Sequence, residues 1–165
     1  MITTERLRLR PFVAGDLDEI HRLWTAPGVR RFLWDDEMIT REQAQAAVEQ
    51  SAALFEEKGY GLWAVSLRDE QQIIGFCGYW FFHEPPQLEL LYGLAEDEWG
   101  KGLAAEAATA IIRHGFFKLG FDRITASTDA ANLSSIRVME KAGMRFERRE
   151  NTNGLDTIYY VIDRD

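Results

Sequence analysis

The spacing of apolar and polar residues changes period several times along the chain, and each change predicts an element. Leu7, Leu9 and Phe12 are set among Arg6, Arg8 and Arg10, which predicts a half-buried strand stopped by Pro11. From Asp16 the period turns helical. Leu17, Ile20, Leu23 and Trp24 share one face, Asp16 is placed to cap it, and Pro27-Gly28 breaks it. Residues 29–34 predict a second short helical turn. Thr40 followed by Gln43 is a capping box. It opens a helix to about residue 58, with Gly59 as its stop and Ala44, Ala47, Val48, Ala52 and Phe55 as its buried stripe. Residues 61–67 and 73–82 then read as antiparallel strands joined by the polar turn 68–71. Pro85-Pro86 ends the second, and residues 88–94 form the next strand.

Residues 104–118 are again helical, with Ala107, Ala108, Ile111, Ile112 and Phe116 on the buried face and Gly120 closing the helix. Residues 123–128 form a strand. A strand–helix–strand crossover places it parallel to 88–94. Asn132 or Asp129 opens a last helix that ends at Gly143. Residues 144–149 and 157–162 close as an antiparallel pair around Asn153-Gly154. The order predicts a mixed α/β fold in one domain, residues 1–165, with no linker or repeat.

The junction between strand 88–94 and helix 104–118 carries the clearest chemical signal. It runs through an acidic connector, residues 95–98, into Trp99-Gly100-Lys101-Gly102-Leu103-Ala104. Glycines let backbone approach a ligand closely, and the unpaired amides of a first helical turn attract anions. A phosphate-bearing ligand is expected there. A nucleotide P-loop is excluded, because Gly102 stands where Ser or Thr must follow Gly100-Lys101. Gly100, Gly102 and Ala105 fit the dinucleotide fingerprint formally, but the glycines lie several residues beyond the strand and too little chain follows for a nucleotide domain.

The same run resembles the pyrophosphate loop of the GNAT superfamily of CoA-dependent N-acyltransferases, with Trp99 where most members have Gln or Arg. Trp99-Gly100-Lys101-Gly102-Leu103-Ala104 followed by Glu106-Ala107 is similar to the RimJ/RimL-type branch. So are the opening Thr4-Glu5-Arg6-Leu7-Arg8-Leu9-Arg10 and, near the end, Asn132-Leu133-Ser134-Ser135 with Val138-Met139-Glu140-Lys141-Ala142-Gly143-Met144. The resemblance implies a central mixed, mostly antiparallel sheet flanked by helices. Its two parallel strands splay apart to admit the pantetheine arm, and the first of them often carries a bulge. It implies N-acetyl transfer from acetyl-CoA to an amine, without a metal. The acceptor is a protein N-terminus or a small amine such as a polyamine, an amino acid or an antibiotic. Acyl-CoA sensing without turnover is the alternative.

Composition narrows the partners. A formal charge of −8 in 165 residues argues against nonspecific nucleic-acid binding and suits a cationic acceptor, although many cytosolic proteins are simply acidic. One cysteine, Cys77, cannot pair internally, and no leader or bilayer-length apolar run opens the chain. A cytoplasmic protein, monomeric or homodimeric and not bound to membrane, is expected.

The candidate residues follow. Amides from Gly100 through Lys101, Gly102, Leu103 and Ala104 to Ala105 are expected to hold the pyrophosphate, with Leu94 at the strand end above them. Lys101 either adds charge to a phosphate or is a solvated lysine. Trp99 packs under the loop. Asn132 can cap the last helix, and the resemblance adds a hydrogen bond to the cofactor arm. Ser135 lies one turn on, sharing that face. The resemblance makes Ser135 the candidate acid for the leaving thiolate, because no tyrosine lies between Tyr92 and Tyr159. Glu89, ten residues before Trp99, is the candidate base; on an apolar strand entering a cleft, burial favours its protonated form. Tyr92 and Trp34 are candidates on the acceptor side. Asp35, Asp36 and Glu37 either attract a basic acceptor or form a solvated loop. His21, His83 and His114 make no metal-ligand spacing with Cys77, and Cys77 reads as core.

Overall fold

Ladder hydrogen bonds divide eight strands into two antiparallel sheets. The computed structural model describes all 165 residues, Met1–Asp165. In chain order these form β1 (Ile2–Thr3), β2 (Leu7–Pro11), α1 (Leu17–Thr25), α2 (Pro27–Leu33), α3 (Arg41–Lys58), β3 (Leu62–Leu67), β4 (Gly75–Phe82) and β5 (Gln87–Leu94). Then follow α4 (Leu103–Phe117), β6 (Arg123–Asp129), α5 (Leu133–Lys141), β7 (Arg145–Thr152) and β8 (Leu155–Asp163). The first sheet has the order β1-β2-β3-β4-β5 and the second β6-β8-β7.

Helices cover both faces of the larger sheet, so its central strands are apolar throughout rather than alternating. Leu7, Leu9, Trp63 and Val65 pack with Ala107, Ala108 and Ile111 of α4 on one side. Leu62, Ala64 and Phe76 pack with Ile20 and Trp24 of α1 and with Ala44 and Val48 of α3 on the other. The expected buried face of α4 is buried in full. Thr40 and Gln43 cap each other's backbone at the start of α3, and Gly59 ends it in the left-handed conformation at φ 78°.

Several local expectations are corrected. β1 is an additional strand, too short to show a period, paired with β2 from Ile2↔Leu9 to Thr3↔Arg8. Pro27 starts α2 rather than merely ending α1, because its fixed φ suits a first helical position. Asp16 does not cap α1; its carboxylate accepts both arms of Arg10 and the Val13 amide instead. On α3 the buried stripe takes in Ser51, whose hydroxyl oxygen accepts the Leu62 amide at 2.8 Å. The bulge that the family resemblance implies in β5 is absent. The β4–β5 register runs unbroken from Gly75↔Leu94 to Phe82↔Gln87.

β5 and β6 are neighbours without a ladder, because they belong to different sheets. Leu88 lies by Arg123 and Ile124, and Glu89 further along by Ser127, so the two strands run parallel as the crossover rule requires. This unladdered seam positions the candidate site.

Candidate active site

Backbone direction along β5 is fixed by its partner. The Ala95 amide bonds the Ile74 carbonyl on the β4 side. Successive residues alternate in direction, so the amides of Leu88, Leu90, Tyr92 and Leu94 point the other way, into the seam. The Leu94 carbonyl on that side accepts the Trp99 indole N–H at 2.8 Å. This anchors the side chain that the sequence places under the loop, although the outer part of its ring stays exposed.

Beyond Trp99 the chain turns through two left-handed glycines, Gly100 at φ 76° and Gly102 at φ 78°. A side chain at either would be strained. Gly102 caps α4 without any side-chain cap, and its carbonyl accepts the first intrahelical bond, from Glu106. The amides of Leu103, Ala104 and Ala105 precede that bond at the N-terminus of α4. Amides of this kind, with the helix dipole behind them, form an anion cradle. Lys101 beside the cradle pairs with Glu98 at 3.0 Å.

The cradle is braced from beneath by residues far away in sequence. Glu106 accepts hydrogen bonds from the Thr4 hydroxyl, the Arg6 amide and the Arg6 guanidinium. Arg6 also bonds the Lys101 carbonyl at 2.8 Å. Burial alone would favour the protonated acid, but these donors and the Arg6 charge outweigh it and hold Glu106 below its ordinary carboxylate value. A second brace comes from the other side, where Glu96 accepts the Gly28 amide of α2 at 2.6 Å.

At the start of α5, Asn132 caps the helix by accepting the Ser135 amide at 3.2 Å. The Tyr92 hydroxyl lies 2.9 Å from the Ser135 carbonyl and 2.8 Å from its Oγ. Tyr92, expected on the acceptor side, therefore has its hydroxyl at the candidate acid. Burial pushes its proton affinity well up, with the Ser135 bond opposing.

Glu89 is 1% exposed and sits further down the seam. Its Oε1 accepts the Ser127 hydroxyl and lies 3.2 Å from His83 Nε2, while its Oε2 is buried without any partner. Trp34 packs on the α1–α3 side of the larger sheet, tilted against Trp24 at 5.7 Å between ring centroids, with its indole N–H buried and unpartnered. No three His, Cys, Asp or Glu side chains gather as a metal site. Cys77 is buried in the core, which pushes its thiol far above the usual range.

The structure thus brings Leu94, Trp99, Gly100, Lys101, Gly102, Leu103, Ala104 and Ala105 to one end of the seam. It sets Asn132, Ser135 and Tyr92 beside α5, and Glu89 deeper in. Four participants were not singled out from the sequence: Arg6, Glu106, Ser127 and His83. Arg6 and Glu106 stood inside the quoted motifs, but one hundred positions separate them and no local spacing joins them. His83 was set aside with the other histidines because it makes no metal-ligand spacing.

An unladdered seam with free amides at one end and a buried carboxylate within is the arrangement expected of acyl transfer from a phosphate-bearing donor. Residues 6–145 match the acetyltransferase (GNAT) domain family. The curated relative YoaA of Bacillus subtilis, described as an uncharacterized N-acetyltransferase, is 30% identical over 98% of this chain and 96% of its own. Among solved structures, RimL, a ribosomal L7/L12 α-N-protein acetyltransferase in complex with coenzyme A, superposes with TM-score 0.82 at 17% identity, covering 98% of this chain and 96% of that one. The acetyltransferase AAC(6')-Ib, in complex with ribostamycin and coenzyme A, superposes with TM-score 0.80 at 19% identity, covering 97% and 94%. A match over most of the chain, with strands, loop and helix in the family's order, makes this protein a member of the GNAT acetyltransferase family.

Proposed function

We propose that the protein moves an acetyl group from acetyl-CoA to a protein N-terminal α-amine by direct attack, as in the RimJ/RimL-type branch. Acetyl-CoA supplies an acyl group activated as a thioester. The observation that carries the reading is the unpartnered Glu89 Oε2, buried in the seam whose other end is the free-amide cradle. A buried acceptor without a donor is costly unless a ligand supplies one, and an amine does.

The chain's own residues divide the work. Amides from Gly100 to Ala105 bind the pyrophosphate, and the unladdered edge of β5 lines the arm. A seam-facing amide of β5 polarises the thioester carbonyl, as preorganised donors do where negative charge develops. Attack requires a neutral nitrogen. A free α-amine titrates near ~8 and a lysine near ~10.4, so an α-amine needs less help. Glu89 takes its proton. The Tyr92–Ser135 pair faces the leaving sulfur. A hydroxyl held above ~10 does not surrender its proton downhill to a thiolate near ~8.5. The pair therefore stabilises the thiolate by hydrogen bonding. Asn132 fixes Ser135 by holding its amide.

A small amine is the second reading, supported by AAC(6')-Ib, which matches the fold about as well as RimL does. Thiol release from acetyl-CoA against N-terminal peptides, polyamines, amino acids and aminoglycosides separates the two. Peptide-dependent release that falls about 100-fold or more in Glu89→Gln is expected from loss of a general base. Release only with small amines overturns the acceptor assignment. Acetyl-CoA binding without release for any amine favours a sensor.

A further inference from the structure

The loop between β4 and β5 holds His83 at φ 71°, a left-handed backbone that is strained for a residue with a side chain. Its imidazole lies at the seam. Its Nε2 lies 3.2 Å from Glu89 Oε1 and 3.3 Å from Ser127 Oγ, and its ring packs on Tyr159 at 5.4 Å between centroids. A carboxylate only accepts, so the tautomer that satisfies both groups carries its proton on Nε2. The His83 side chain is 30% exposed. No hydrogen bond within the protein engages its other nitrogen, Nδ1.

We propose that His83 is a positioning residue for Glu89: its Nε2–H, with the Ser127 hydroxyl, holds Oε1 so that Oε2 stays free for the acceptor, and charging the imidazole weakens Glu89 as a base. The inference rests on Glu89 being that base. Protonation takes place at Nδ1 from solvent and leaves the Nε2–H bond intact. It changes only the charge beside the carboxylate.

Other groups near the ring come from β6, β7 and β8. From β8, Tyr159 stays neutral because burial, reinforced by Glu150 and Glu89, raises its proton affinity. From β7, Arg148 lies over the Tyr159 ring at 3.7 Å, and Glu150, which also feels the His83 charge, bonds Arg148 at 2.7 Å. Ser127 of β6 is neutral, and Glu84 follows in the exposed loop. Glu89 of β5 is the acid in direct contact.

The test compares wild type with His83→Gln, which keeps an N–H donor but cannot charge, over pH 5 to 8. The acceptor peptide is held constant. Dividing the two kcat/KM profiles cancels the acceptor's own titration. The wild-type to variant ratio is expected to rise about tenfold across this range. His83→Ala, which loses the donor, is expected to lower kcat about tenfold with the KM for acetyl-CoA unchanged. A ratio flat with pH, or a purely structural signature of lowered melting temperature with an unaltered profile, overturns the proposal. Glu89→Gln separates the two layers. If it keeps wild-type rates, the base assignment fails. If it is inactive while the His83→Gln ratio is flat, only the role of His83 fails.

Discussion

Tyr92 and Ser135 illustrate what single residues contribute. Ser135 was legible as a candidate because it falls one helical turn beyond a capping asparagine. Tyr92 was visible as an acceptor-side candidate, but its partner was not, since 43 positions separate it from Ser135. A tyrosine hydroxyl that supports rather than donates gives a graded expectation. Tyr92→Phe should lower kcat about tenfold with little change in the KM for acetyl-CoA. Ser135→Ala should lower it further, because the variant loses the group facing sulfur. Equal, additive losses in the double variant would argue against a shared role. Ser51 was hidden for the opposite reason. Its neighbour Ala52 fits an apolar stripe better, and only the unpaired amide of Leu62 explains why a hydroxyl is wanted there.

At the scale of elements, helix periods and capping signals were read closely, because both are local. The strands were found at nearly the expected places, but what long-range pairing decides was less legible. β1 has only two residues, and the parting of β5 from β6 came only from the family resemblance, because no local pattern reports a ladder that does not form. The Arg6–Glu106 brace belongs here, since it ties the approach to β2 to the first turn of α4. Its carboxylate has a folded-state proton affinity below the ordinary value of 4.5. Stability from this group is therefore fully present above that value and is lost as the pH falls through the lower folded value. Glu106→Gln should flatten the acid side of the plot of melting temperature against pH and leave its neutral side parallel to wild type. Arg6→Ala, which frees the Lys101 carbonyl, should raise the KM for acetyl-CoA several-fold while changing kcat less, which steady-state kinetics would show.

Across the whole molecule, α2 meets the connector into the glycine loop at Gly28. A Cβ there would overlap Glu96 Oε1 and stand 2.7 Å from the Trp99 ring. Glycine is needed at this position for close approach. From the sequence, Pro27-Gly28 read only as a break. Gly28→Ala should push the Glu96–Trp99 connector outward. Expected outcomes are a destabilisation of about 1–3 kcal/mol in denaturant melts, as for other overpacked sites, together with weaker acetyl-CoA binding. A loss of stability with binding intact would mean that the contact does not reach the cradle. The net charge of −8 also belongs to this scale: it would raise the encounter rate of a cationic acceptor and make that rate sensitive to salt.

The one-sided pairing of β5 has a kinetic signature of its own. Glu89, Leu91 and Gly93 send their amides to β4, whereas Leu88, Leu90 and Tyr92 send theirs into the unladdered seam. Deuterium should therefore enter this one strand in two classes, slow and fast at alternate residues. A ligand filling the seam should slow the fast class and leave the other untouched, so that occupancy is written along a single strand as every second amide.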